Sequence, residues 1–386
     1  MIGDDLETRE IREAVRALCA RFPGAYWRAL DAAREYPTRF VAEPTEAGFL
    51  GALIPEEFGG SGLGLRAAAA VLEEIHASGG NGGACHAQMY MMGTVLRHGS
   101  QRQKERWLPQ IARGEIRLQA FGVTEPTSGS DTLALRTTAV PDGAGYVVNG
   151  QKIWTSRAEH SDLMLLLART TPQGEVARRT EGLSVFLIDM REALGRGLTI
   201  RPIRTMMNHA TTEVFFENLN IPADALVGEQ GRGFHYILDG MNAERTLIAA
   251  ECVGDGRWFI DKASAYARER RVFGRPIGQN QGVQFPIARA YAAVSAAALA
   301  VLHAARRFET GARIGEEANI AKLLASEAAW QAAEACVQTF GGFAFAEEYD
   351  VERKYRETRL YQVAPVSTNL ILAYLAEHVL DLPRSY

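Results

Sequence analysis

Apolar and polar positions along this chain change their period twice. From Leu6 to Phe22 the apolar residues Ile11, Val15, Leu18 and Phe22 recur at steps of three and four, the repeat of one face of an amphipathic helix. Helical periodicity continues to about residue 118. Within it, Ser100-Gln-Arg-Gln103 has the capping-box pattern, which predicts a helix start there and an end near Arg113-Gly114. The period then shortens. Tyr146-Val-Val, Asn149-Gly150 and Lys152-Ile-Trp154 read as two short strands joined by a type I′ turn, and residues 163–167, 183–188 and 214–216 read as further strands. Pro141-Asp-Gly and Pro222-Ala-Asp punctuate them as turns. From Gly233 the helical repeat returns, with Ala-rich stretches over 288–305 and 318–337 of the kind that pack closely in bundles. The pattern predicts an α+β, mostly helical chain. Its expected parts are an N-terminal helical domain (1–118), a central β domain (119–229) and a C-terminal helical domain (230–386).

Composition narrows the function classes. A chain of 386 residues, 47% hydrophobic, has enough apolar surface for a large core. Lys and Arg number 42 against 46 Asp and Glu, with no basic block long enough to track a phosphate backbone, so nucleic acid is not an expected partner. Cys19, Cys85, Cys252 and Cys336 lie far apart without metal-ligand or dithiol spacing, so no metal is expected. The N-terminus is acidic where a targeting segment would be basic. The apolar run from 291 to 305 is too short for a bilayer span. The expectation is a cytoplasmic protein with no membrane partner. The glycine-rich loop from Pro55 to Gly64 lacks the following Lys-Ser/Thr of a phosphate-binding P-loop.

Two stretches stand out chemically. Phe121-Gly-Val-Thr-Glu-Pro-Thr-Ser-Gly-Ser-Asp131 offers hydroxyls at Thr124 and Ser130 around a Pro126 that fixes φ and a Gly129 that lets backbone come close to a ligand. Further on, Lys152-Ile-Trp-Thr-Ser156 adds an aromatic face and another hydroxyl. Together they suit a flat, polar-edged cofactor, as two jaws of one site.

The stretch 123–131 resembles the acyl-CoA dehydrogenase flavoprotein family, whose commonest form has Gly and Ala where this chain has Thr127 and Ser128. His98-Gly-Ser-Gln, Lys152-Ile-Trp-Thr-Ser, Asn242-Ala-Glu-Arg245, Arg270-Arg-Val-Phe-Gly274 and Gln338-Thr-Phe-Gly-Gly342 are similar to further family stretches, in order, over nearly the whole chain. The resemblance implies a central β-barrel-like domain between helical domains, the last a four-helix bundle, in a homotetramer or dimer. It implies FAD, an acyl-CoA substrate and an electron-transfer flavoprotein as acceptor, in fatty acid metabolism. By position, Phe121, Val123, Thr124, Gly129, Ser130, Trp154 and Ser156 would hold the flavin, and Ser130 would also reach the acyl-CoA. Arg270, Phe273 and Gln281 would meet the pyrophosphate and adenosine of the FAD, partly across a subunit boundary. Gln338, Thr339, Gly341 and Gly342 match a loop that approaches the same group, and Ser367 and Asn369 match further flavin contacts. Asn242 and Arg245 would face the substrate.

The base is displaced. In many family members it is a Glu near the C-terminus, at a position that here is Pro365 within Val363-Ala-Pro-Val-Ser367. A second location, used by isovaleryl-CoA and long-chain dehydrogenases, matches Glu244. A carboxylate in an apolar pocket suits abstraction of an α-proton from a thioester. The helix with Met89, Met91 and Met92 is expected to line the acyl tail. Three alternatives share these residues: dehydrogenation of a carrier-protein-bound acyl group, an oxygen-using relative of the monooxygenase or nitroalkane oxidase type, and a non-catalytic scaffold.

Overall fold

The computed structural model describes residues 5–385. Its helices are α1 (Arg9–Cys19), α2 (Gly24–Ala33), α3 (Thr38–Glu46), α4 (Gly64–Ala77), α5 (Gly83–His98), α6 (Gln101–Ala112), α7 (Met190–Ala193), α8 (Gly233–Glu269), α9 (Gln281–Glu309), α10 (Gly315–Phe340), α11 (Val351–Arg359) and α12 (Thr368–His378). The main strands are β1 (Leu118–Gly122), β2 (Thr138–Asp142), β3 (Gly145–Ser156), β4 (Leu163–Arg169), β5 (Leu183–Asp189), β6 (Leu198–Pro202), β7 (Thr211–Pro222) and β8 (Leu226–Val227). Two compact units result. The described residues of Met1–Ala33, Leu63–Gly82 and Asn242–Tyr386 form a helical unit, and Arg34–Gly62 with Gly83–Met241 forms a sheet unit.

In the sheet unit the strand order is β6-β7-β3-β2-β4-β5-β8, with β1 parallel to β4. β4 is apolar without alternation because both of its faces are covered. One face, Leu163, Leu165 and Leu167, packs with Met91, Met92, Val95 and Leu108 of α5 and α6. The other, Met164 and Leu166, packs with Val148, Val214 and Phe216 of β3 and β7. The capping box forms as expected: Gln103 N–H donates to Ser100 Oγ at 3.2 Å and Ser100 N–H to Gln103 Oε1 at 2.9 Å. The helix ends at Arg113, and Gly114 takes φ +70°.

The expected turn at Asn149-Gly150 is not a turn. β3 runs unbroken through it, and the hairpin closes earlier, where Asp142 pairs with Gly145 around Gly143 at φ +56°. Asn149-Gly150 is a bulge, marked by a register shift against β7. The reason is tertiary. The Asn149 side-chain oxygen accepts the Asn218 N–H at 2.8 Å, and Thr137 sits so close to Gly150 that a Cβ there would lie 2.5 Å from its hydroxyl.

In the helical unit α1 turns Val15 and Cys19 inward, and also Arg12, whose guanidinium reaches Glu73 at 2.9 Å and Glu74 at 2.8 Å on α4. Gly254 of α8 lies against the Glu73 carbonyl of α4, and Gly256 against Val294 of α9 and Ala329 of α10. Any side chain at these two glycines would force the helices apart. α9, at 29 residues, extends well beyond the apolar run visible in the sequence and is long and apolar enough, by length and composition, to cross a membrane. Val294 and Ala297 are buried, whereas Phe285, Tyr291 and Leu299 are exposed.

Candidate active site

The two jaws meet in the sheet unit. β1 delivers the chain to Val123, and there Ile153 N–H donates to the Thr124 carbonyl at 2.9 Å. Lys152, fully buried, reaches the Val123 carbonyl at 3.0 Å and the Glu125 carboxylate at 2.8 Å. Glu125 in turn accepts the N–H groups of Arg136 at 2.6 Å and Thr137 at 2.9 Å. Burial pushes the Lys152 ammonium down to about 8, against the opposing pull of Glu125. Burial raises the Glu125 carboxyl, but Lys152 and the hydrogen bonds outweigh it, and its pKa ends below the usual range. Neither residue stood out in the sequence as more than part of a motif, because their pairing closes over a long separation.

This staple leaves a particular set of groups facing outward. Glu125 and Ser128 exchange backbone hydrogen bonds of 3.1 Å, which folds the loop so that Gly129 and Ser130 are exposed. A second register shift of β3 against β7, between Lys152 and Thr155, puts Trp154 at φ +60° with 56% of its surface exposed. An aromatic residue at positive φ, on a bulge, is a side chain re-aimed off the sheet. Phe121, Val123, Thr124 and Ser156 are half-buried. Trp154 is therefore not a core tryptophan. The methionines of α5 are: Met89, Met91 and Met92 are all buried, Met91 and Met92 in the core against β4. The expectation that they line an acyl tail is corrected for Met91 and Met92, which the helix rotation turns into the core. The half-open side of α5 carries Tyr90 and Gly93, and the Tyr90 ring stands edge-on to Phe121 with centroids 6.0 Å apart.

In the helical unit the remaining expected residues fall into two groups. Arg270 lies with its guanidinium 5.5 Å from the ring centroid of Phe343, the residue that follows Gly341 and Gly342 in the chain. Added Cβ atoms at these two glycines would meet nothing within 4 Å, so the loop presents open backbone. Phe273, fully exposed at φ +52°, tips the short hairpin Arg271–Val272/Arg275–Pro276, and exposed Gln281 opens α9. Gln338 is exposed, while the Thr339 hydroxyl donates to the Ala335 carbonyl of its own helix at 2.6 Å. Ser367 caps α12, its Oγ accepting the Leu370 N–H at 3.4 Å, and Asn369 is exposed on the first turn.

The second group is on α8. Glu244 and Arg245 are both buried, at 3% and 8% exposure, so Glu244 is not a surface helix glutamate. Arg245 Nη1 donates to Asn242 Oδ1 at 3.3 Å, but its Nε is buried with no hydrogen-bond partner among the described residues. Burial pulls the Arg245 guanidinium below its ordinary value, and the Glu244 charge opposes this. A desolvated N–H without an acceptor is costly in a finished protein interior and suits a ligand oxygen.

Three models of one family cover the chain. Those described as the N-terminal, middle and C-terminal domains of acyl-CoA dehydrogenase match residues 5–115, 120–219 and 231–380. The acyl-CoA dehydrogenase fadE12 of Mycobacterium bovis is 34% identical over 385 residues, covering 98% of this chain and 97% of its own. The chain belongs to the acyl-CoA dehydrogenase family. Members of this family are FAD-binding flavoproteins and oxidoreductases that take acyl-CoA substrates. The solved glutaryl-coenzyme A dehydrogenase in complex with glutaryl-CoA superposes with a TM-score of 0.91 at 30% identity, covering 99% of this chain and 97% of that one. Butyryl-CoA dehydrogenase from Megasphaera elsdenii gives 0.90 at 25% identity, with coverages of 98% and 100%. The chain's own groups fit such a cofactor: in the sheet unit an exposed indole on a bulge and open backbone at Gly129, and in the helical unit open backbone at Gly341 and Gly342 and an arginine over the Phe343 ring.

Proposed function

We propose that this acyl-CoA dehydrogenase removes hydrogens from the α- and β-carbons of an acyl-CoA thioester, giving the trans-2-enoyl-CoA, with Glu244 as the base. The observation that carries the reading is the buried Glu244-Arg245 pair with its orphaned Arg245 Nε, in a chain whose 363–366 segment, Val-Ala-Pro-Val, offers no acid or base. A carboxylate withdrawn from water is a stronger base toward carbon, and a neighbouring guanidinium offsets the charge that develops on the thioester oxygen. FAD, when bound, supplies the acceptor for the β-hydrogen as hydride. Trp154, Phe121, Val123, Thr124, Gly129, Ser130 and Ser156 hold its ring system in this reading. Arg270, Phe273, Gln281, Gln338 to Gly342, Ser367 and Asn369 hold the remainder. Glu244 keeps the α-proton until the product leaves. Asn242 orients Arg245, and Ser130 and Arg245 bind substrate. Residues 1–118, 119–229 and 230–386 act as the three functional domains.

Partners follow from the same reading. Phe285, Tyr291 and Leu299, exposed along α9, suit burial against further copies of the chain in a homotetramer. An electron-transfer flavoprotein is the proposed electron acceptor. The test is anaerobic bleaching of the yellow holoenzyme with straight, branched and aromatic acyl-CoAs. We expect rapid bleaching in wild type, slowed at least about 100-fold in Glu244→Gln with flavin still bound. Undiminished bleaching in the variant sinks the base assignment. A yellow wild type that no acyl-CoA bleaches sinks the CoA-thioester assignment in favour of a carrier-bound or oxygen-using chemistry.

A further inference from the structure

Lys322 of α10 is a fully buried lysine without a carboxylate among its hydrogen-bond partners in the described residues. Its ammonium donates to two backbone carbonyls, that of Tyr361 and, at 2.8 Å, that of Val366. Burial lowers its pKa, the Cys252 thiol opposes this, and Arg245 reinforces it. A desolvated charge of this kind stabilises little by itself, since backbone carbonyls repay only part of the cost of leaving water. The Tyr361 side chain is anchored too: its hydroxyl donates to Glu251 Oε2 at 2.8 Å. Glu251 lies seven positions beyond Glu244 on α8, which is about two turns and therefore the same face of the helix. The segment from 361 to 366 is thus held at both ends, by α10 through Lys322 and by α8 through Tyr361.

Between those anchors are Gln362, Val363, Ala364 and Pro365, with no side chain able to take a proton at neutral pH. Whatever this segment contributes to the chemistry it contributes by the placement of its backbone. We infer that Lys322 and Tyr361 are positioning residues that clamp the 361–366 segment to the face of α8 that carries Glu244, so that the thioester is held in line with the base. The inference rests on the proposed reaction for its kinetic consequence, but the clamp itself does not.

The experiment compares wild type, Lys322→Met and Tyr361→Phe as holoenzymes, by hydrogen–deuterium exchange of the peptide over 361–370 and by steady-state kinetics with the best acyl-CoA. We expect exchange in this peptide to quicken about 10-fold or more in both variants. We expect kcat to fall about 10- to 100-fold with KM within about threefold of wild type and flavin content unchanged, the split expected of lost alignment rather than lost binding. Should Lys322→Met not fold, Tyr361→Phe, which removes a single hydroxyl, decides alone. Wild-type exchange rates in the folded variants overturn the clamp, and quickened exchange with wild-type kcat overturns its role in the reaction. A wild type inert toward acyl-CoA, with exchange quickened in the variants, upholds the clamp and counts against the reaction instead.

Discussion

Lys152 offers a direct reading of how the candidate flavin jaws are held. It is fully buried, it ties β3 to the Val123 carbonyl, and it pairs with Glu125. Its folded-state pKa of about 8 lies below the ordinary 10.5, with burial as the larger cause. The unfolded chain therefore binds more protons than the folded one between those two values, and this group's contribution to stability rises with pH across that window. At about 1.36 kcal/mol per pH unit the rise amounts to about 3 kcal/mol. Lys152→Met removes the titration and leaves Glu125 with its two backbone donors, at a cost of about 3 kcal/mol near pH 7. Urea unfolding of both proteins from pH 7 to 10.5, followed by circular dichroism, is the assay. Wild-type stability measured against Lys152→Met should climb through pH 8 and level off above 10.5. Glu125→Leu should cost at least as much as Lys152→Met, and the double variant less than the two together. A difference curve flat from pH 7.5 to 10, or a fully additive double variant, refutes the staple.

Other perturbations separate holding the fold from holding the ligand. Trp154→Ala, at an exposed position, should change unfolding stability by about 0.5 kcal/mol or less while weakening FAD retention about 10-fold, read by flavin fluorescence on dilution. Asp255 is drawn down to about 2 because Lys354 and His76 outweigh its burial. Its stabilisation is present above pH 4 and is lost as pH falls toward 2, and Asp255→Asn should cost about 3–5 kcal/mol in urea unfolding at pH 7 while flattening that acid limb. Gly341 sits at φ +59°, ψ −133° with open space around it. Gly341→Ala should therefore lose about 1–3 kcal/mol through backbone strain alone, measured by the same unfolding, with no clash to relieve.

Some of this was legible in the chain and some was not, for reasons that differ by residue. The change from a helical repeat to short strands and back follows directly from which faces are covered, and the Ser100-Gln103 cap is a local interaction completed within four residues. Asn149-Gly150 has the composition of a turn, yet its conformation is set by Asn218 and Thr137, which local pattern cannot include. Met89, Met91 and Met92 have a spacing that does not distinguish core from pocket; only the rotation of α5 against β4 assigns the open side to Tyr90. The Glu125–Lys152 pair was inside stretches already singled out, but its partners meet across a sheet. Lys322 did leave a signal: it interrupts the apolar face made by Ala318, Ala321 and Ala325, where a charge needs a buried acceptor.

The order of the chain has a consequence for its biosynthesis. The helical unit is assembled from three separate stretches, and the whole sheet unit is encoded within its gaps. His76, emerging early on α4, donates to Asp255 at 2.8 Å across a separation of 179 residues. On a ribosome adding about 5–20 residues per second, that histidine waits about 10–35 s for its partner. During that interval α1, α2 and α4 present apolar and charged faces with no α8 or α11 to receive them, while every residue of the sheet unit is delivered by position 241. A chain ending at position 241 and released from the ribosome should consequently hold a complete sheet unit and an N-terminal segment that depends on chaperones, which makes the first helices, rather than the catalytic ones, the part of this enzyme most exposed to quality control.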